Sequence, residues 1–189
     1  MRSGPFVNRA NISSSVQELQ KGDRRRIHRA LVVDDNAAIH EDFRKILARR
    51  DDGLEDIEAD LFGEEQTTAA PDTFEIDSAL QGQEGLEMVQ RAILELRPYE
   101  LAFVDLHMPP GLDGIETIAG IWRMDSEIQV VLCAACLKYT WDEVVLKLGR
   151  SDGLAILKKP FEPDAVVRLA KIAIENRCLQ GSARLALQA

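Results

Sequence analysis

Ala30-Leu31-Val32-Val33-Asp34-Asp35-Asn36 sets four consecutive apolar residues directly against two carboxylates. The apolar residues do not alternate with polar ones. Such a run fits a strand buried on both faces, as in a parallel sheet. The same grammar returns at Leu101-Ala102-Phe103-Val104 before Asp105, and at Leu154-Ala155-Ile156-Leu157 before Lys158-Lys159-Pro160. Ile128 to Cys133 is a further buried run, and Phe74 to Leu80 alternates better and reads as an edge strand.

Helical periodicity fills the gaps. Ile39, Phe43, Ile46 and Leu47 recur at i, i+4, i+7 and i+8 behind Asn36, a plausible cap. Leu86, Val89 and Ile93 give a second helix, Ile115, Ile118 and Trp122 a third. Trp141, Val144, Val145 and Leu148 give a fourth, stopped by Gly149, and Val166, Leu169, Ala170 and Ala173 a fifth behind Pro163. Five strands alternating with five helices predict an α/β fold with a parallel sheet and helices on both faces.

Charge is unevenly spread. The 189-residue chain carries a formal −9, yet residues 1–28 sum to +4 and residues 51–77 to −11. An acidic surface disfavours nucleic acid as a partner. No apolar run approaches the ~18 residues of a membrane span, and the N-terminus lacks the apolar core of a signal peptide. The expected location is the cytoplasm, with no membrane insertion. Residues 1–28 read as a mobile basic arm, 29–178 as the domain, 51–73 as an acidic insertion and 179–189 as a tail. Leu54, Ile57, Leu61 and Phe62 place a short amphipathic helix within that insertion.

Ligands of open α/β sheets bind outside the carboxyl ends of the strands. Asp34, Asp35, Asp105 and Lys159 all follow strands there. Clustered carboxylates repel, and a hard divalent cation relieves them. Carboxylate, metal and ammonium together make a phosphoryl-transfer set. Taken singly, each residue reads as an ordinary turn or solvated side chain; their joint placement carries the inference.

Leu31 to Asn36, Phe103-Val104-Asp105-Leu106-His107-Met108-Pro109-Pro110-Gly111 with Asp113-Gly114, and Leu157 to Phe161 resemble the receiver domain of two-component response regulators (CheY-like). The resemblance implies a flavodoxin-like fold with strand order 2-1-3-4-5. It implies Asp105 as phosphoryl acceptor, and Mg²⁺ held by Asp35 directly, Asp34 through water, Asp105, and the His107 backbone carbonyl. Lys159 is the implied phosphoryl-binding lysine, with a cis bond before Pro160. The implied partner is a sensor histidine kinase or histidine phosphotransfer protein. Homodimerisation is left open. The chain departs from the pattern at Ala134, where the family has Ser or Thr, and at Ile156, where it has an aromatic residue.

Three other readings follow. A degenerate receiver would bind partners without phosphorylation, motivated by Ala134 and Ile156. A haloacid-dehalogenase-type phosphatase expects D-x-D, which Asp105-Leu106-His107 and Asp34-Asp35-Asn36 both lack. Cys133 and Cys136 form a C-x-x-C with no second pair, so packing is favoured over redox chemistry. The leading expectation is a signalling phospho-acceptor rather than an enzyme acting on other molecules.

Overall fold

The computed structural model describes residues 26–48, 73–135 and 139–187, with side chains as far as Ser182. The expected amphipathic helix of the insertion, almost all of the basic arm, and Cys136 lie outside the described residues. Five strands, β1 (Ile27–Val33), β2 (Thr73–Ala79), β3 (Leu101–Asp105), β4 (Gln129–Ala134) and β5 (Leu154–Lys158), alternate with five helices. The helices are α1 (Ala37–Ala48), α2 (Gly82–Leu94), α3 (Gly114–Met124), α4 (Trp141–Leu148) and α5 (Pro163–Leu187). The sheet is all parallel in the order β2-β1-β3-β4-β5. The expected α/β fold and strand order are those observed, with Phe74 to Ala79 on an edge.

Burial explains the unbroken apolar runs. Leu31, Val33, Ala102, Val104, Val130 and Leu132 face one core, shared with α2, α3 and α4. Ala30, Val32, Leu101, Phe103, Val131 and Cys133 face the other, shared with α1 and α5. Phe43 of α1 packs on Phe103 at 4.4 Å between ring centroids. Strands of this kind have no solvent face on which a polar residue could alternate.

The helix starts follow capping chemistry. The Asn36 side chain accepts from the Ala38 N–H, while Asp113 with Glu116, and Thr140 with Glu143, form reciprocal capping boxes. Thr140 is thereby committed to α4. Trp122 is buried with its indole N–H on the Ile128 carbonyl, whereas Trp141 is half exposed.

Two boundaries need correction. β1 starts at Ile27, so the arm ends two residues earlier than expected. His28 is buried there against Glu100 at 3.0 Å, which draws it into the sheet. Residues 179–187 are the continuation of α5 rather than a separate tail. No proline interrupts them, alanine and leucine favour helix, and one interior glycine costs only about 1 kcal/mol.

α2 ends in a left-handed turn built on Leu96, a residue with φ of 56° where glycine is usual. The Arg97 N–H reaches the Ala92 carbonyl and the Leu96 N–H reaches that of Ile93, closing the helix end. The Leu96 side chain is 88% exposed and contributes little packing. Leu96→Gly is therefore expected to stabilise the fold by up to about 1 kcal/mol, as relief of the left-handed strain outweighs glycine's unfolded-state entropy. Urea unfolding of the two proteins checks this.

Candidate functional site

In a parallel sheet every strand delivers its carboxyl end to one rim. Asp34 follows β1 and Asp105 ends β3, and these strands are neighbours. Lys159 follows β5, two strands beyond β3, and its long stem reaches back past the end of β4. Its Nζ lies 2.6 Å from Asp34 Oδ2 and 2.6 Å from Asp105 Oδ1. Both carboxyl side chains are at least nine-tenths buried. One ammonium thus holds two carboxylates together at the rim.

Backbone groups complete each carboxylate. Asp34 Oδ1 accepts from the Asn36 N–H at 2.9 Å, and Asp105 Oδ2 from the His107 N–H at 3.0 Å. The Asp34 carbonyl oxygen lies 2.7 Å from Nε2 of the buried His40. On the Asp105 side, α3 closes tightly: a Cβ at Gly114 would sit 2.3 Å from the Asp105 carbonyl oxygen. Only glycine there lets the helix start against the strand end. Beneath the site, burial pushes the Cys133 thiol far up, so it stays protonated and unreactive. This disfavours a redox role for Cys133.

The structure brings Asp34, Asp105 and Lys159 into direct contact. Asp35 and the His107 side chain stand exposed at the rim. Ala134 is the last residue of β4, and its carbonyl accepts the Lys159 backbone N–H at 2.8 Å. It is buried and offers no hydroxyl. Ile156 packs as a partly buried residue against the α2–α4 core, as does Tyr139. Sequence reasoning missed His40. Its signal was an imidazole at i, i+3, i+7 with Phe43 and Leu47, on the apolar face of α1.

The donors suit a hard divalent cation. All are oxygens; two carboxylates share one ammonium and Asp35 adds a third carboxylate at the rim, which leaves excess negative charge. An ionised carboxylate has about four acceptor positions, of which Asp34 and Asp105 each spend two on the contacts given above. Among the described residues, no three His, Cys, Asp or Glu side chains stand converged on a point as placed. Asp35 is the member that stands apart from the paired carboxylates.

No protein-family profile and no curated protein matches the chain. Solved structures do. A CheY-like response regulator receiver domain protein from Methanospirillum hungatei JF-1 matches at TM-score 0.57 and 18% identity, over 82% of this chain and 98% of that one. A response regulator receiver protein from Sinorhizobium medicae WSM419 matches at 0.56 and 17%, over 80% and 97%. The chemotaxis response regulator CheY4 of Vibrio cholerae matches at 0.54 and 17%, over 78% and 98%. The chain therefore has the fold of receiver domains, the flavodoxin-like arrangement expected from its motifs.

The Lys159 ammonium has a direct thermodynamic consequence. Burial alone would lower its pKa, but hydrogen bonds to Asp105 and Asp34 outweigh that and raise it. A raised folded-state pKa stabilises the fold fully below the unfolded lysine value, about 10.4, and the gain is lost as pH rises through the folded value. Lys159→Met leaves two buried carboxylates facing each other and is expected to cost about 3 kcal/mol at pH 7. The gap to the unmodified protein should stay constant up to about pH 10 and narrow above it. Urea unfolding of both proteins across this range reads the difference.

Proposed function

We propose that this chain is a phospho-acceptor receiver module, taking a phosphoryl group from a phosphohistidine onto Asp105. The observation that carries the reading is the contact of Lys159 with both Asp34 and Asp105 at the carboxyl rim of a receiver-type sheet. An Asp105 oxygen attacks phosphorus as the P–N bond breaks, and the electron pair returns to the imidazole nitrogen. Lys159, 2.6 Å from the Asp105 carboxylate, would pair with a phosphoryl oxygen, and the His107 N–H donates to the other Asp105 oxygen. Asp34, Asp35, Asp105 and the His107 carbonyl would hold Mg²⁺, which neutralises the charge gathered on the transferring group.

The partner on this reading is a sensor histidine kinase or a histidine phosphotransfer protein. The role is signalling, with self-phosphorylation and self-dephosphorylation as its only chemistry. No helix among the described residues is long and apolar enough to cross a membrane. A cytoplasmic location is part of the proposal.

Ala134 supports a second reading. A hydroxyl at this position would give the phosphoryl group a charge-assisted hydrogen bond worth ~1.5–3 kcal/mol. A hundredfold population shift needs only about 2.7 kcal/mol. Lacking that bond, the domain could bind partners without switching on phosphorylation.

Two experiments separate these readings. With phosphoramidate and Mg²⁺, the unmodified protein is expected to gain one phosphoryl group by intact-mass analysis, and Asp105→Asn none. Mass gain in Asp105→Asn would place the acceptor elsewhere; no gain in the unmodified protein would favour the phosphorylation-independent module. Ala134→Thr is expected to increase the phosphorylation rate severalfold, or to enlarge the spectral change on adding beryllofluoride. If both stay at the unmodified level, the missing hydroxyl is not what limits switching.

A further inference from the structure

His40 is expensive where it sits. The side chain belongs to α1, is 3% exposed, and lies on the helix face that otherwise buries Phe43, Ile46 and Leu47. A carbonyl oxygen can only accept, so the 2.7 Å contact with the Asp34 oxygen requires the proton on Nε2. The other ring nitrogen, Nδ1, is buried with no hydrogen-bond partner. One hydrogen bond is therefore all the ring obtains in return for desolvating two polar atoms. An apolar side chain would fill this position at lower cost, so stability alone does not account for imidazole here.

What the bond holds is specific. The oxygen belongs to the peptide that joins Asp34 to Asp35. That unit is planar, so fixing its oxygen fixes the direction in which the chain enters Asp35. The Asp34 side chain has its own restraints, from Asn36 and Lys159. Among the described residues no hydrogen bond or ion pair holds the exposed Asp35 carboxylate. The backbone therefore sets where its Cα–Cβ bond points and which space its rotamers can reach, and His40 grips that backbone from the first turn of α1.

We propose that His40 is a positioning residue, whose Nε2–H locks the Asp34–Asp35 peptide and so aims the Asp35 carboxylate at a divalent cation shared with Asp105. The proposal rests on the receiver reading and names a determinant of its cation affinity. It acts through the backbone and involves no change of protonation. Substituting residues that orient metal ligands typically weakens affinity 10- to 100-fold.

The test uses Mg²⁺ alone, followed by isothermal titration calorimetry on the full chain, with phosphoramidate labelling and thermal unfolding measured alongside. His40→Leu is expected to bind Mg²⁺ at least about tenfold more weakly, while its labelling rate at saturating Mg²⁺ stays near that of the unmodified protein. His40→Gln, whose amide nitrogen reaches about as far as Nε2, should recover most of the affinity. Because His40 acts through Asp35, His40→Leu should weaken Mg²⁺ binding no further in an Asp35→Asn background. A merely structural role would lower the unfolding temperature yet leave Mg²⁺ affinity unchanged, and that result overturns the proposal. Additive losses in the Asp35→Asn background would also overturn it. Should His40→Leu fail to fold, His40→Met fills similar volume with a more adaptable side chain and carries the same comparison. If the unmodified protein neither binds Mg²⁺ nor accepts a phosphoryl group, the receiver reading itself fails; if it does both and His40→Leu matches it, only the positioning role falls.

Discussion

One ammonium between two buried carboxylates is the contact on which this rim depends. Parallel pairing of β1 with β3 puts Asp34 and Asp105 side by side, and neither has a solvent shell to dilute its charge. Lys159 resolves the repulsion by lying 2.6 Å from each. The tie is also topological. It joins the end of β5 to the ends of β1 and β3, across the end of β4, and so adds a side-chain tie to strand ends that backbone hydrogen bonds already hold to their neighbours. The Lys159 N–H on the Ala134 carbonyl and the Gly114 approach to Asp105 brace the same cluster from two sides.

Much of this was legible in the sequence because parallel sheets leave blunt marks. Strands buried on both faces must be apolar throughout, so Ala30 to Val33 and Leu101 to Val104 stand out. Strand-end charges have only one rim to occupy, so Asp34, Asp105 and Lys159 could be grouped without coordinates. Less legible was anything set by a single tertiary hydrogen bond. His40 looks like an ordinary helix residue until the Asp34 carbonyl is placed beside it. The capping box of Thr140 and Glu143, by contrast, is local, and its Thr-x-x-Glu spacing stands in the sequence. The start of β1 was misread because His28 and Arg29 are polar. Both are drawn inward by partners distant in sequence: Glu100 for His28, Asp77 and the ring of Tyr99 for Arg29. The run-on of α5 past residue 179 was misread for a different reason. A short C-terminal stretch beyond the last periodic positions looks like a tail, yet this one is rich in leucine and alanine and contains nothing that stops a helix.

The absence of a hydroxyl at residue 134 changes how any charge placed on Asp105 could be felt elsewhere. A phosphoryl group brings new anionic oxygens to a lysine already shared between two carboxylates, and a flexible ammonium has only three protons to donate. Two of those protons already serve Asp34 and Asp105, so one is left, and turning it toward a phosphoryl oxygen would trade part of the contact with Asp34 for the newcomer. That exchange moves a group covalently joined to β5 and hydrogen-bonded through its backbone to β4. The backbone link between Lys159 and Ala134 persists whatever residue 134 carries, because it uses the carbonyl rather than the side chain. On the proposed reading, then, the side-chain route out of the site is missing while a main-chain route remains. Ile156 lies along β5, two residues before the end of the strand, packed against the same core as Leu154, Leu148 and Tyr139. A shift of the β5 terminus would reach the α4 surface through that packing, graded by how far the strand end moves rather than gated by an aromatic ring changing places.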